Sequence, residues 1–143
     1  MLDYLLPAGP FVHIEGLDES ETITSDAHSV DLPMVVLVNG NTASAAELFT
    51  SALKDYEKAE IVGEKTYGKG CGQTTNSQAK YGLDGGLKLT TFYYSSPKGD
   101  YYDGVGITPH VQVELSEEAQ KYNINLLPDN LDNQLAAADD AMK

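Results

Sequence analysis

The sequence predicts an α/β fold in which a strand–helix–strand unit is joined to further mixed and antiparallel strands. A continuous apolar run at Met34 to Val38 is typical of a buried parallel strand. A segment with a helix-spaced apolar face follows, and a second short apolar run at Ala59 to Val62 ends at Gly63. Strand, helix and strand at these distances form a βαβ unit, so the two strands should be parallel.

The helix of this unit has the most regular pattern in the chain. One face carries apolar residues with the spacing i, i+3, i+4, i+7 and i+8, namely Ala45, Leu48, Phe49, Ala52 and Leu53. The helix should end near Asp55 or Tyr56. Ser44 stands directly before its first residue, after the turn that begins at Asn39-Gly40.

Weaker elements precede the unit. Leu2, Leu5 and Leu6 have helical spacing that Pro7 ends. Because this element has no room for a capped start, we expect the chain to be part of a longer domain. Further on, the pattern indicates a short strand at 11–14 and a hairpin through 21–24.

The second half of the chain is predicted to consist mainly of loops and strands. In order, we expect a glycine-rich loop at 63–73, strands at Thr74-Thr75 and Leu87 to Tyr94 joined by a turn around 84–86, a loop at 101–109, an edge strand with alternating Val111, Val113 and Leu115, an irregular segment at 116–127, and a closing helix at 132–143 with Leu135, Ala138 and Met142 on one face.

Composition limits the classes of function. The chain has 143 residues, enough for one domain, and its 22 acidic and 9 basic residues give a formal net charge of −13. This charge argues against nucleic-acid and anionic-membrane partners, which basic surfaces serve. The single cysteine, Cys71, excludes an internal disulfide and a cysteine-based metal cluster. We expect no cofactor and no metal. The first residues lack the pattern of a signal peptide.

Ser44 and Lys69 are the candidate catalytic pair. A serine between a strand and a helix is exposed beside the free N–H groups of a helix start, and a lysine can serve as its base. The base must be neutral, which for a lysine costs about 4 kcal/mol, usually supplied by desolvation. The hypothesis therefore requires Lys69 to be buried away from carboxylates. Gln73 could orient its amine, and the N–H of Ala45 is a natural oxyanion donor.

Other interpretations of these residues remain open. Ser44 with Glu47 also fits a helix-capping box, and a lysine in a glycine loop is most often solvated. The segment 63–70 nearly matches a phosphate-binding loop, but Gly70 replaces the magnesium-binding hydroxyl and no helix follows. A Ser-His-Asp triad is a further alternative, although nothing specifies which histidine would serve. The three histidines, His13, His28 and His110, are scattered without ligand spacing.

Several motifs, in the same order along nearly the whole chain, resemble the C-terminal processing peptidases, also called tail-specific serine proteases. The matching segments are Tyr4 to Pro7, 31–33, Asn39 to Glu47, Ile61 to Gly70 with Gln73, 86–91 with Tyr94, Pro97 and Gly99, Gly104 to Pro109, and Asp132 to Leu135. The resemblance implies a ClpP/crotonase-like core. It also implies that Ser44 is the nucleophile, Lys69 the general base and Gln73 the residue that orients it. Asp55 matches an acidic position important in some members, where a structural role at the helix end is expected.

The resemblance implies a serine endopeptidase that cleaves polypeptides near unstructured C-termini through an acyl-enzyme, in the periplasm or at the cell envelope. Residues 1–143 would be the C-terminal portion of its catalytic domain. These residues contain neither a PDZ module nor the Asp-Leu-Arg-x-Asn-x-Gly-Gly segment that supplies the second oxyanion N–H. We therefore expect this portion alone to be weak or inactive, and to form homo-oligomers through exposed sheet edges. The alternative is a catalytically silent peptide-binding or scaffold domain. No nucleotide or nucleic-acid partner is expected.

Overall fold

The computed structural model describes residues 1–77, 82 and 84–143. In chain order, its helices and strands are α1 (Leu2–Leu5), β1 (Gly9–Gly16), β2 (Ser20–Ser25), β3 (Val35–Val38), α2 (Ala45–Asp55), β4 (Glu60–Gly63), β5 (Cys71–Ser77), β6 (Gly86–Ser95), β7 (Val111–Gln112) and α3 (Asn133–Ala141), with short 3-10 turns between β7 and α3. They form a four-stranded sheet in the order β2-β1-β6-β5 and a three-stranded sheet in the order β3-β4-β7.

The predicted βαβ unit is confirmed. Strands β3 and β4 are parallel, with Val36 opposite Ile61, and α2 connects them. Ala52, Leu53 and Ile61 are fully buried in a core cluster that also contains Leu2 and Leu6 from the first residues. Burial of this helix face against the sheet is the main apolar contribution to the unit. Strand β3 ends directly before the turn that leads to Ser44.

The antiparallel sheet confirms most of the remaining strands and corrects one detail. The predicted hairpin exists as β1 paired with β2, but residues 21–24 lie inside β2 rather than at its turn, which falls at 17–19. Alternating threonine and isoleucine in this stretch fit a strand, whereas Gly16 and Asp18 supply the turn. Strands β5 and β6 form the second antiparallel pair. Part of their predicted connection, at 78–81 and 83, lies outside the described residues.

The C-terminal elements follow the expected order. Strand β7 is only two residues long and lies at the edge of the parallel sheet beside β4. The side chain of Asp132 accepts hydrogen bonds from the N–H groups of Gln134 and Leu135 and so begins α3. Ala138 is buried as predicted, but Met142 is 53% exposed because α3 ends before it. None of the described helices has both the length and the apolarity of a membrane span.

Gly72 is held at the start of β5 by close packing against an aromatic ring. A Cβ atom at this position would overlap the ring of Phe92 on the paired strand β6. Covering a strand glycine with a cross-strand aromatic ring removes its backbone from water and restricts the strand. Gly72 thus allows a tight contact next to the loop that carries Lys69.

We expect Gly72→Ala to destabilise the fold by about 1–3 kcal/mol, because the new methyl group must displace the Phe92 ring. Urea unfolding measures this free energy. In a Phe92→Leu background the same change should cost less, since the two positions share one contact. Gly40→Ala is the matched control, because a Cβ there has no neighbour within 4 Å. Equal losses at Gly72 and Gly40 would contradict the packing explanation.

Candidate active site

A hydrogen-bonded turn presents Ser44 between β3 and α2. The Asn39 side chain accepts the N–H of Asn41 at 2.9 Å, and the Thr42 hydroxyl accepts the N–H of Asn39 at 3.0 Å. The N–H of Thr42 closes the turn on the carbonyl of Asn39 at 2.9 Å. These short polar side chains satisfy the backbone of the turn locally, so the chain reverses within a few residues.

Ser44 itself has a strained backbone. Its φ of 58° and ψ of −122° lie outside the regions that residues with a side chain prefer. Such a conformation costs about 1–3 kcal/mol and persists only where neighbouring contacts hold it. A sharp, strained turn from strand to helix is also the way in which α/β-hydrolases expose a nucleophilic serine.

The carboxylate of Glu47 holds this turn and the lysine loop, residues 64–70, together. Glu47 is fully buried, and its Oε2 atom accepts the N–H of Ser44 at 2.9 Å and that of Lys69 at 2.7 Å. Its Oε1 atom accepts the hydroxyl of Thr66 at 2.6 Å and the N–H of Gly68 at 2.7 Å. Two donors on each oxygen satisfy the hydrogen-bonding capacity of this buried carboxylate. One side chain therefore fixes the backbones of both candidate catalytic residues.

The opposite side of the lysine loop is bound by the turn at 102–107. The N–H of Gly104 reaches the carbonyl of Gly68 at 2.8 Å, and the Asp103 carboxylate accepts the N–H of Gly70 at 2.8 Å. Gly68 has a φ of +90°, and a Cβ there would lie 2.7 Å from the backbone nitrogen of Gly106. Glycine is required at this position by both the conformation and the close approach. The loop is thus held from two sides through its backbone.

The Ser44 hydroxyl is hydrogen bonded to a tyrosine. Its Oγ lies 3.2 Å from the hydroxyl of Tyr94, which donates to the carbonyl of Lys69 at 3.0 Å. Tyr94 is buried on β6, and this burial raises the pKa of its phenol above the ordinary value. The tyrosine therefore stays protonated at neutral pH and links the serine side chain to the lysine loop.

The side chains of the predicted catalytic group are not joined to one another in this structure. Across the described residues, the Lys69 amine makes neither a hydrogen bond nor an ion pair, and its residue is half-buried. Gln73 is exposed on β5, after an irregularity in the strand pairing at Gly72. Ala45 is exposed at the first helical position, where its N–H has no partner within the helix. The structure brings the Ser44 and Lys69 backbones together and leaves the lysine amine free to move.

Comparisons with known proteins identify the family of the chain. The model of peptidase family S41 matches residues 1–113. The chain belongs to peptidase family S41. A carboxy-terminal-processing protease of Bartonella bacilliformis is 38% identical to it over 130 residues, 87% of this chain and 29% of that protein. A probable CtpA-like serine protease of Staphylococcus saprophyticus is 38% identical over 131 residues, 92% of this chain and 25% of that protein.

Solved structures support the same family assignment. A photosystem II D1 C-terminal processing protease has a TM-score of 0.71 and 31% identity, covering 94% of this chain and 34% of that one. An S41 protease from Bacteroides fragilis, at 17% identity, shows the fold alone, with a TM-score of 0.70 over 98% of this chain and 39% of that one. The predicted fold class and family resemblance are confirmed. This S41 chain spans about a quarter of the length of the curated relatives described above.

The geometry of the site bears on each alternative interpretation of these residues. Ser44 is the N-cap of α2 and forms the capping box with Glu47, so that prediction is confirmed. None of the three histidines, all within the described residues, bonds to Ser44: His13 contacts Thr22 and Pro97, His28 lies beside Asp26, and His110 accepts the N–H of Ile61. The loop N–H groups that a phosphate would need are bound to the carboxylates of Glu47 and Asp103.

Two residues of the site were missed by sequence reasoning. Glu47 was considered only as a capping residue, although its burial shows a larger role. Tyr94 stood only within a strand-like run and a family motif. The Ser-x-x-Glu spacing was the one signal for Glu47, and no local pattern connects Tyr94 with a serine so distant in sequence. Asp55 is the last residue of α2, and its carboxylate accepts the N–H of Lys98 at 2.9 Å.

We expect Glu47→Gln to destabilise the fold by about 2–4 kcal/mol, because one end of the amide would face two buried donors that need an acceptor. Urea unfolding at neutral pH measures the change. Glu57→Gln is the matched control, since Glu57 is exposed directly after α2 and should change stability by less than about 0.5 kcal/mol. If Glu47→Gln has the same free energy of unfolding as the wild type, the carboxylate does not hold the Ser44 turn and the lysine loop together.

Proposed function

We propose that this chain is the C-terminal part of the catalytic domain of a serine endopeptidase that processes polypeptides near their C-termini. The observation that carries the proposal is the shared Glu47 oxygen, which receives the N–H groups of both Ser44 and Lys69. This contact supports the proposal because it holds the backbones of Ser44 and Lys69 next to each other. Membership of family S41 supports the same reaction class.

In the proposed reaction, Ser44 Oγ attacks the scissile carbonyl while its proton passes to a neutral Lys69 amine. The N–H of Ala45 stabilises the oxyanion, as a helix-start donor beside the nucleophile can. Collapse of the intermediate expels the amine with the proton from Lys69 and leaves an acyl-enzyme, which water then hydrolyses. Gln73 orients the lysine amine in this scheme.

In this proposal the Lys69 side chain moves to reach Ser44 while the loop backbone stays in place. Lys69 has four rotatable bonds, and its amine has no partner in the described part of the chain that would have to be broken. The loop backbone is already fixed by Glu47 and the turn at 102–107. Bound substrate would cover this half-buried residue and exclude water from the site.

We propose unstructured, apolar C-terminal segments of polypeptides as the substrate, and no nucleic acid or nucleotide. Two relatives carry names that refer to C-terminal processing, and the strongly acidic composition disfavours polyanions. An extracytoplasmic or envelope location fits the family. A lipoprotein from Streptococcus agalactiae, similar in structure at 25% identity and a TM-score of 0.61, supports that location.

A second candidate is a catalytically silent peptide-binding or scaffold domain of the same fold. The free amine of Lys69 and the exposed Gln73 favour it, because neither contacts Ser44. The two candidates differ in one property, which is the reactivity of the Ser44 hydroxyl.

Labelling with a fluorophosphonate separates these candidates. In the intact protein, the wild-type serine should react at Ser44, Ser44→Ala should not react, and Lys69→Ala should react at least about a hundred times more slowly because the serine loses its base. Mass spectrometry of the labelled peptide identifies the site. Lys65→Ala is the matched control, since Lys65 is exposed in the same loop and should react like wild type.

Labelling that is absent from the wild type, or that Lys69→Ala leaves unchanged, would count against the Ser-Lys dyad. We also expect the 143-residue chain alone to react more slowly than the intact protein. The chain supplies one oxyanion donor, the N–H of Ala45, but not the Asp-Leu-Arg-x-Asn-x-Gly-Gly segment that is expected to supply the second. Losing one oxyanion donor typically costs about 10²–10³ in rate. Equal rates for the chain and the intact protein would contradict this second point.

We further propose that the 143-residue chain self-associates through the edge strand β5. Edge strands present unpaired backbone donors and acceptors and are commonly protected by charged residues. Strand β5 (Cys71–Ser77) has no charged residue, whereas the other edge of the same sheet, β2, carries Glu21. The β5 edge is therefore the less protected of the two.

Light scattering coupled to size-exclusion chromatography tests this association. The wild-type chain should elute with at least twice the monomer mass, and Thr75→Lys on β5 should shift it towards the monomer because the charge opposes edge pairing. Thr24→Lys on β2 is the matched control, since it adds the same charge at an exposed edge position. A monomeric wild type, or equal effects of the two lysines, would contradict the proposal.

A further inference from the structure

The hydroxyl of Tyr94 has a defined direction for its single proton. It donates to the carbonyl of Lys69 at 3.0 Å, so its oxygen is the acceptor in the 3.2 Å contact with Ser44 Oγ. Ser44 therefore donates its proton to Tyr94. The result is a chain of two hydrogen bonds that runs from the nucleophile to the backbone of the base.

Tyr94 is itself held firmly against the lysine loop. Its backbone N–H donates to the carbonyl of Gly70 at 2.9 Å, so the residue is attached to the loop at both its main chain and its hydroxyl. The rings of Phe92 and Tyr102 lie on its two sides, with centroids 6.3 and 5.9 Å away. The tyrosine is 6% exposed. Its hydroxyl is consequently a fixed point relative to Lys69.

We propose that Tyr94 is a positioning residue for Ser44, which holds Oγ in one rotamer at a set distance from the lysine loop. The inference rests on the proposed function. A serine side chain can take up to three staggered rotamers, and only one of them places its Oγ against a given neighbour. A hydrogen bond to a fixed phenol selects one rotamer before substrate arrives, which is preorganisation of the nucleophile.

Tyr94 does not itself take the proton in this scheme. When Ser44 attacks the scissile carbonyl, its Oγ–H bond breaks and a new N–H bond forms on the neutral Lys69 amine, while the Tyr94 proton stays on the phenol oxygen, hydrogen bonded to the Lys69 carbonyl. Burial raises the pKa of Tyr94, which keeps the phenol protonated across the neutral range. Loss of the hydroxyl should therefore lower the rate without changing which group titrates.

The chain offers a matched control for this hydroxyl. Tyr102 packs edge-on against Tyr94 and is equally buried, at 4% exposed. Within the described residues, its hydroxyl is the buried side-chain oxygen that has no hydrogen-bond partner. Tyr94→Phe and Tyr102→Phe thus each remove one buried oxygen from adjacent rings, but only the first change removes a contact with Ser44.

The test uses the intact protein, an unstructured peptide with an apolar C-terminus, and the fluorophosphonate label. For Tyr94→Phe we expect kcat and the labelling rate at Ser44 to fall about tenfold, the effect of losing the hydrogen bond to Ser44 Oγ, with KM unchanged. The same change also removes the hydrogen bond to the Lys69 carbonyl, so a double-mutant cycle with Ser44→Ala isolates the contact with the serine. The pH–rate profile should keep its shape, with a lower rate at every pH. Tyr102→Phe should match wild type in all four measurements.

Three outcomes would overturn the inference. The first is a wild-type rate for Tyr94→Phe. The second is a faster reaction of Tyr94→Phe, which would mean that the tyrosine restrains the serine. The third is an equal loss of rate in Tyr94→Phe and Tyr102→Phe, which would indicate a packing effect. A wild-type protein that labels at Ser44 in a Lys69-dependent way, together with an unaffected Tyr94→Phe, overturns this inference and leaves the proposed function standing. An unreactive wild type overturns both.

A measurement without activity provides a second check. Urea unfolding of Ser44→Ala, Tyr94→Phe and the double variant forms a double-mutant cycle for the two hydroxyls. If the hydrogen bond is present, the stability losses should be less than additive, and the same cycle with Tyr102→Phe should be additive. Additive losses in the Tyr94 cycle would contradict the contact on which the inference depends.

Discussion

The site depends on one buried carboxylate. Glu47 lies in the first turn of α2, and its two oxygens accept hydrogen bonds from Ser44, Thr66, Gly68 and Lys69. A buried carboxylate without partners is very costly, so the strand-to-helix turn and the lysine loop must come together for either to be stable in this position. The strained Ser44 backbone is one of the contacts that this carboxylate holds. The turn that carries Ser44 and the loop that carries Lys69 are therefore held in place by the same side chain.

The hydrogen bonds of the site hold the backbone of the lysine loop rather than the side chain of the lysine. Carbonyl and N–H groups of the lysine loop are bound on one side by Glu47 and on the other by the turn at 102–107. The amine of Lys69 carries none of these contacts. The position of the loop backbone therefore does not depend on where the lysine amine lies.

Local sequence patterns predicted the βαβ unit, the limits of α2 and the place of Ser44, because apolar spacing and glycine positions determine these features over short distances. The burial of Glu47 was not predictable, since its donors come from a loop about twenty residues away and the apolar pattern of α2 leaves it off the buried stripe. The link through Tyr94 depends on the pairing of β6, which no local pattern specifies. The hairpin turn was misplaced because residues 21–24 combine polar and β-branched side chains.

Two adjacent buried tyrosines, Tyr94 and Tyr102, make the stability of the fold depend on pH. Burial raises the pKa of both Tyr94 and Tyr102 above the ordinary 10.0. An unfolded chain would release these phenolic protons near that pH, whereas the folded chain retains them. The unfolded state then binds fewer protons, so the stabilisation is complete below pH 10 and is lost progressively above it. Burial of these two tyrosines thus also sets an alkaline limit to the stability of the native state.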